Sequence, residues 1–199
     1  MFYLTELFPT TIAAALFYVV YALWLFGELV IGGIIPRSRR RGAPISYEDK
    51  SSRSLITLSM FLSLTIAFLF ASTRIASLPT GAFYLGIGLM IAGILLRQWS
   101  IAVLGRYFSR TVGVQEGQAV VDRGPYRLVR HPAYTGSLLT MVGLGFVLQS
   151  WEAVIVLIAF FGVAFGYRIH VEEAVLTFKL GVEYVAYAKR TKRLIPYVL

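Results

Sequence analysis

The 199 residues of this chain include no cysteine. Disulfides, thiolate nucleophiles and Cys-based metal sites are thereby excluded. Histidine is nearly as scarce: His131 and His170 are too few and too scattered for a histidine site of recognisable spacing, so no metal is expected. Charge is thin as well. Asp, Glu, Lys and Arg supply 15% of the residues, where a typical globular protein carries about 25%. Acidic residues are the rarer kind, ten against nineteen Lys and Arg, for a net charge of +9.

The chain is instead 57% hydrophobic, with a mean hydropathy of +0.71. Several apolar stretches approach or exceed the roughly 18 residues that read as a membrane-spanning helix. The pattern predicts an all-α integral membrane protein with about five transmembrane helices, near 9–35, 54–72, 80–103, 134–149 and 152–170. The first run is too long for a signal peptide and lacks both a basic stretch before it and a clear cleavage pattern. Spans four and five are separated by "QSW" alone, which predicts a tight C-terminal helical hairpin. We read 1–199 as a single membrane domain, with three N-terminal spans in 1–103 and the functional half in 104–199.

The basic residues are distributed by side. Six lie between spans one and two (Arg37, Arg39, Arg40, Arg41, Lys50, Arg53), five between Gly105 and His131, and five in the tail after span five. Arg74 alone marks the opposite side, while Arg97 and Arg168 sit within spans. This positive-inside asymmetry predicts an external N-terminus, with both polar segments and the C-terminus in the cytosol. It also accounts for the net charge without nucleic acid, which would need the basic residues gathered on one soluble surface.

Two cytosolic pieces stand out. "TVGVQEGQAVV" is rich in β-branched residues about a Glu-Gly turn, which predicts a small hairpin. In the tail, Gly181 is expected to end the extension of span five, and 182–190 to form a short amphipathic helix resting on the membrane or the bundle. Lys189, Arg190, Lys192 and Arg193 would then face lipid headgroups.

Charges inside spans are costly, so they carry information. Arg168 and Glu172 are four residues apart and share a helix face, which by itself suits a simple ion pair. Glu28, late in span one, is expected to pair with a basic residue of the bundle. In "RHPAYTG", Pro132 fits the first turn of span four, and Arg130 and His131 sit at that helix's N-terminal end, where free N–H groups favour an anion or a lone pair. Arg130, His131 and Tyr134 would form a polar rim over an apolar pocket.

The run "GQAVVDRGPYRLVRHPAYTG", the hairpin after it, and then "EE" followed by "LGVEYVAYAKRTKRLIP" resemble the isoprenylcysteine carboxyl methyltransferase family and its phospholipid-methyltransferase relatives. The resemblance covers about residues 104–197. It implies a multispan membrane methyltransferase that uses S-adenosylmethionine, enclosed beneath a C-terminal cytosolic segment. It further implies cofactor contacts at Gln118, Ala119, Val120, Val121, Tyr126, His131, Pro132, Ala133, Tyr134 and Glu172. Arg168 is implied as the substrate contact and catalytic residue. One departure is Gln118, where family members often carry histidine.

The implied acceptor is lipophilic, enters from the bilayer among membrane lipids, and is a carboxylate of the prenylcysteine kind. Its pKa near 3.3–3.7 would leave it ionised without a base, and Arg168 would hold it as a fork. Amine, phospholipid and thiol acceptors stay open at this point and would need a base. A sterol-reductase-like enzyme using NADPH is the alternative chemistry, since such proteins carry a similar Arg-His-x-x-Tyr element. A membrane partner protein without activity is the third reading.

Overall fold

The computed structural model describes residues 8–33, 45–46, 51–73, 75–115 and 117–196. Its helices are α1 (Thr11–Gly33), α2 (Ser52–Thr73), α3 (Gly81–Leu104), α4 (Pro132–Val147), α5 (Trp151–Leu180) and α6 (Val182–Arg190). Local chemistry sets most boundaries. Thr10 Oγ1 accepts the Ala13 N–H at 3.1 Å, and Ser150 Oγ accepts that of Ala153 at 3.1 Å, so a hydroxyl caps α1 and α5. Pro132 opens α4, where its missing N–H costs nothing. Gly181, at φ +55°, ends α5 and returns its N–H to Thr177 O at 3.0 Å, as expected from the sequence.

Four helices are long and apolar enough to cross a membrane: Thr11–Val30 within α1, then α2, α3 continued to Tyr107, and α5. The fifth, α4, has 16 residues, about 24 Å at 1.5 Å per residue. It falls short of the ~30 Å hydrocarbon core. Its N-terminus therefore lies inside the bundle, and His131 is buried there. The protein is thus a multi-pass integral membrane protein with five apolar helices among the described residues, four of them long enough to span.

Helix α4 packs closely on α3 through paired glycines. A Cβ on Gly93 would lie 2.5 Å from Gly136 O, one on Gly136 would lie 2.6 Å from Gly93 O, and Gly86 and Gly143 face each other the same way. In lipid, association rests on such close contact because no hydrophobic force draws the helices together. Helix α5 lies against α2 and α4, and α1 leans on α3. The core between them includes Phe17, Phe83, Met141, Leu144, Leu157 and Phe165.

The connections separate into two sides. On one, Leu78 N–H reaches Gln149 O at 2.7 Å and Trp151 N–H reaches Ala76 O at 3.1 Å, joining the α2–α3 and α4–α5 turns. Phe8, before α1, meets Phe83 edge to face at the same end. On the other side β1 (Ile45–Ser46) pairs antiparallel with β2 (Gly113–Val114).

That pairing corrects the expected hairpin. In the expected hairpin the Gln118 N–H does reach Gln115 O at 3.1 Å, and Gly117 takes φ +68°. Its arms part, however: Val114 takes Ile45 as partner, while 118–121 form no strand and line a cavity. The Gln118 side chain is used locally, its Oε1 accepting the Gln115 N–H at 2.9 Å. Helix α6 meets the bundle through Tyr184 and Tyr187, which are buried, whereas Val182 and Val185 are exposed.

Candidate active site

A cavity of about 470 Å³ opens among α1, α2, α4, α5 and the 105–131 segment, within the usual range for a small-molecule site. Its polar layer forms where α4 begins beside α5. The Tyr134 hydroxyl donates to Glu172 Oε2 at 2.8 Å and accepts from Arg168 Nε at 3.2 Å. One phenol therefore stands between a carboxylate and a guanidinium. Arg168 is buried and its fork is oriented further, Nη1 donating to Ser52 Oγ at 2.8 Å and Nη2 to Arg110 O at 2.7 Å. The i,i+4 spacing of Arg168 and Glu172 is thus used to flank Tyr134, a partner 34 residues away from Arg168 in sequence.

Above Arg168 the wall carries Glu28, Arg97 and Arg110. Glu28 takes a two-point hydrogen bond from Arg97, including Nη2 to Oε2 at 3.1 Å, and lies 3.5 Å from Arg110 Nη2. This supplies the basic partner that the sequence left open for Glu28. Arg97 also donates to Ala133 O at 3.4 Å, so one arginine ties α1 to the first turn of α4. Counted with Arg53 at the rim, this part of the cavity holds four arginines and one carboxylate among the described residues.

Behind His131 lies a second network. Glu173 accepts from Arg130 Nε at 2.8 Å and Arg193 Nε at 3.0 Å, and pairs with His131 Nε2 at 3.3 Å. The tail then runs alongside 129–135. Arg130 N–H reaches Lys192 O, His131 N–H reaches Arg193 O, and Thr135 Oγ1 donates to Leu194 O. Arg190 pairs with Asp122, and Tyr187 donates to Tyr126 O at 2.7 Å. Arg190 and Arg193 thus hold the tail down, whereas Lys189 and Lys192 of the same basic cluster are exposed.

Burial raises the phenol pKa of Tyr187 to about 12, with Asp122 adding to it, and pushes those of Tyr126 and Tyr184 up as well. These phenols stay protonated at neutral pH and offer no base.

Of the residues singled out in the sequence, Gln118, Ala119, Val120, Val121, Tyr126, His131, Ala133, Tyr134, Arg168 and Glu172 all line this one cavity. Pro132 does not; it is fully buried behind the wall. The sequence reading missed the contributions of α1 and α2, among them Trp24, Leu25 and Met60, and it missed Ser52 as the anchor of Arg168. In-span charge was the signal available for Glu28 and Arg97. The apolar residues had none, because apolar side chains lie on the exposed as well as the buried faces of these helices.

Residues 86–178 match the model of the isoprenylcysteine carboxyl methyltransferase (ICMT) family. Protein-S-isoprenylcysteine O-methyltransferase A of Arabidopsis thaliana is 31% identical over 57% of this chain and 58% of its own length. Protein-S-isoprenylcysteine O-methyltransferase of Schizosaccharomyces pombe is 27% identical over 75% of this chain and 60% of its own. The chain therefore spans less than two thirds of the length of these curated relatives. The solved structure of the eukaryotic intramembrane Ras methyltransferase ICMT, without a monobody, superposes with a TM-score of 0.57 at 22% identity, covering 71% of this chain and 52% of that one.

Proposed function

We propose that this chain, whose residues 86–178 match the isoprenylcysteine carboxyl methyltransferase family model, is a member of that family and transfers a methyl group from S-adenosylmethionine to the carboxylate of a lipophilic, prenylcysteine-like acceptor. The observation that carries this is the Tyr134 bridge. It sets a site for a cation, Glu172, one hydroxyl away from a site for an anion, Arg168. A sulfonium donor and a carboxylate acceptor need that adjacency.

The residues around the lower cavity suit the donor. Glu172 offers its carboxylate to an ammonium or to ribose hydroxyls, and Tyr126 and Tyr187 supply aromatic walls for a base. His131 turns its Nε2 towards Glu173. The run 118–121 would contribute backbone, since the Gln118 side chain is held by the Gln115 N–H. When bound, S-adenosylmethionine would supply a methyl on a positively charged sulfur; a carboxylate oxygen would take that methyl as the carbon–sulfur bond breaks and the sulfur leaves as a neutral thioether, with no proton to remove. The chain's own part is to position and to exclude water. Tyrosines held in the phenol form agree with a reaction that needs no base.

The test is direct. Glu172→Gln should lower S-adenosylmethionine affinity about tenfold, the scale of one hydrogen bond to a charged group, with the protein still folded in detergent. Calorimetric titration of both proteins, with NADPH as a control ligand, reads this out. Unchanged affinity would leave Glu172 as a partner of Tyr134 only. Binding of NADPH instead would favour the reductase chemistry. Methyl-label transfer into a lipid extract would then identify the acceptor.

We place the cavity mouth and the tail in the cytosol, with the N-terminus outside. Sixteen of the nineteen basic residues belong to segments assigned to that side, which is the support for the orientation. Ile75, exposed in the α2–α3 turn, is the probe position. An Ile75→Cys thiol should react with an impermeant reagent added from outside intact cells, and reaction solely from the cytosolic side would invert the topology.

A further inference from the structure

Below the polar layer the cavity continues as an apolar arm, and four helices set its depth. On α5 the wall descends from Arg168 through Phe165 and stops at Phe161. On α4 it descends from Tyr134 to Met141, on α2 from Arg53 to Met60, and on α1 from Glu28 to Trp24. The next turn of these helices belongs to the packed core: Val20 beyond Trp24, Leu144 beyond Met141 and Leu157 beyond Phe161 are all buried. The arm is blind.

Its length follows from helix geometry. Seven residues separate Arg168 from Phe161, and seven separate Tyr134 from Met141, so the arm extends about 10 Å below the polar layer. An extended chain advances about 3.5 Å for every three bonds, so the arm takes a chain of about nine bonds. At its top stand Arg97, Arg110 and Arg168 against the carboxylates of Glu28 and Glu172, an excess of positive charge that favours an anionic head. At its side, Leu25, Leu29 and Thr57 line the cavity and are also exposed, so the gap between α1 and α2 faces the bilayer.

We infer that Trp24, Met60, Met141 and Phe161 form a floor that sorts acceptor chains by length: an anionic lipid whose chain ends about nine bonds from its carboxylate fills the arm, and a longer chain, which the floor keeps from fitting the arm, lies in the gap between α1 and α2. The acceptor's identity as a methyl acceptor rests on the proposed function; the floor itself rests on the geometry alone. The floor also makes Phe161 and Met141 specificity-determining residues, distant from the reacting atoms.

The experiment reads position and turnover separately. The full chain in lipid nanodiscs is photolysed with two alkanoic acids carrying a terminal diazirine, decanoate and octadecanoate, and the labelled peptides are mapped. Decanoate, nine bonds long, should label the floor residues, saturably and in competition with unlabelled decanoate. Octadecanoate should label Leu25, Leu29 and Thr57 or escape into lipid. Met141→Ala, with Phe161→Leu as the second variant should the first not fold, should admit a dodecanoate probe that the native floor excludes, raising floor labelling several-fold. Decanoate labelling at the α1–α2 gap, octadecanoate labelling at the floor, or no saturable labelling of the wall would each overturn the floor. Floor labelling by decanoate without methyl transfer to any carboxylate would leave the floor standing and remove the methyltransferase reading. Methyl transfer with labelling confined to the gap would do the reverse.

Discussion

Replacing Arg168 with lysine is expected to cut methyl transfer to a carboxylate acceptor roughly ten- to a hundredfold, because a hydrogen bond to a charged group contributes about 1.5–3 kcal/mol and each 1.36 kcal/mol on the barrier is about tenfold in rate. Charge is kept in this substitution, so the loss isolates geometry. Arginine offers a planar fork and lysine a single ammonium on a flexible stem. The structure adds a reason why the fork matters here. Nε, Nη1 and Nη2 are each engaged, by Tyr134, Ser52 and the Arg110 carbonyl, so the plane of the guanidinium is set before an acceptor arrives. An ammonium cannot meet three partners in those directions.

S-adenosylmethionine affinity should be nearly unchanged in this variant, because Glu172 retains the Tyr134 hydroxyl as donor. Ser52→Ala is the companion substitution. It removes one of the fork's partners while leaving the guanidinium, and should cost turnover less than Arg168→Lys does. Parallel losses of cofactor affinity and turnover in Arg168→Lys would move Arg168 into the cofactor site or the fold, and the carboxylate mechanism would have to be dropped.

What the sequence made legible, and what it did not, divides along a physical line. Features written in local chemistry were readable: Pro132 at the start of α4, Gly181 with its left-handed φ at the end of α5, and the short connection before Trp151. Each depends on residues within a few positions of it. The pairing of Glu28 with Arg97 spans 69 residues, and that of Arg168 with Ser52 spans 116. Nothing in a one-dimensional pattern favours those partners over the other arginines and serines. The failed hairpin has the same cause. β-propensity about a Glu-Gly turn was real, but Val114 found a better partner in Ile45 than in its own sequence neighbours. In α6, amphipathicity was visible while its direction was not: tyrosine and valine both count as apolar, and the tyrosines went inward because their rings fill the wall of the cavity.

Glu173 carries the second large effect. It sits beside Glu172 in sequence yet does different work, joining Arg130 and His131 at the head of α4 to Arg193 in the tail. Its side chain is 14% exposed and that of Arg130 is 10%, so this pair is close to buried, whereas Arg193 is 57% exposed. Breaking a buried pair costs about 3–5 kcal/mol. The half-solvated partner argues for the lower end, about 3 kcal/mol, or roughly a hundredfold in an opening equilibrium. The loss should be local. The bundle is held by the α3–α4 glycine contact and the apolar core, neither of which involves Glu173, while residues 188–194 depend on the strip of backbone bonds beside 129–135 that Arg130 organises. Glu173→Ala should therefore speed amide exchange in 188–194 by up to about a hundredfold, with α3 and α4 protected as before. Cofactor affinity should fall with it, because His131 loses the partner that fixes its ring and Tyr187 loses its place against Tyr126. Glu173→Gln, which keeps the shape without the charge, should give an intermediate change in both. Exchange rising across the whole bundle would make Glu173 a residue of the fold at large. Unchanged exchange in the tail would mean that the backbone strip closes the site without it.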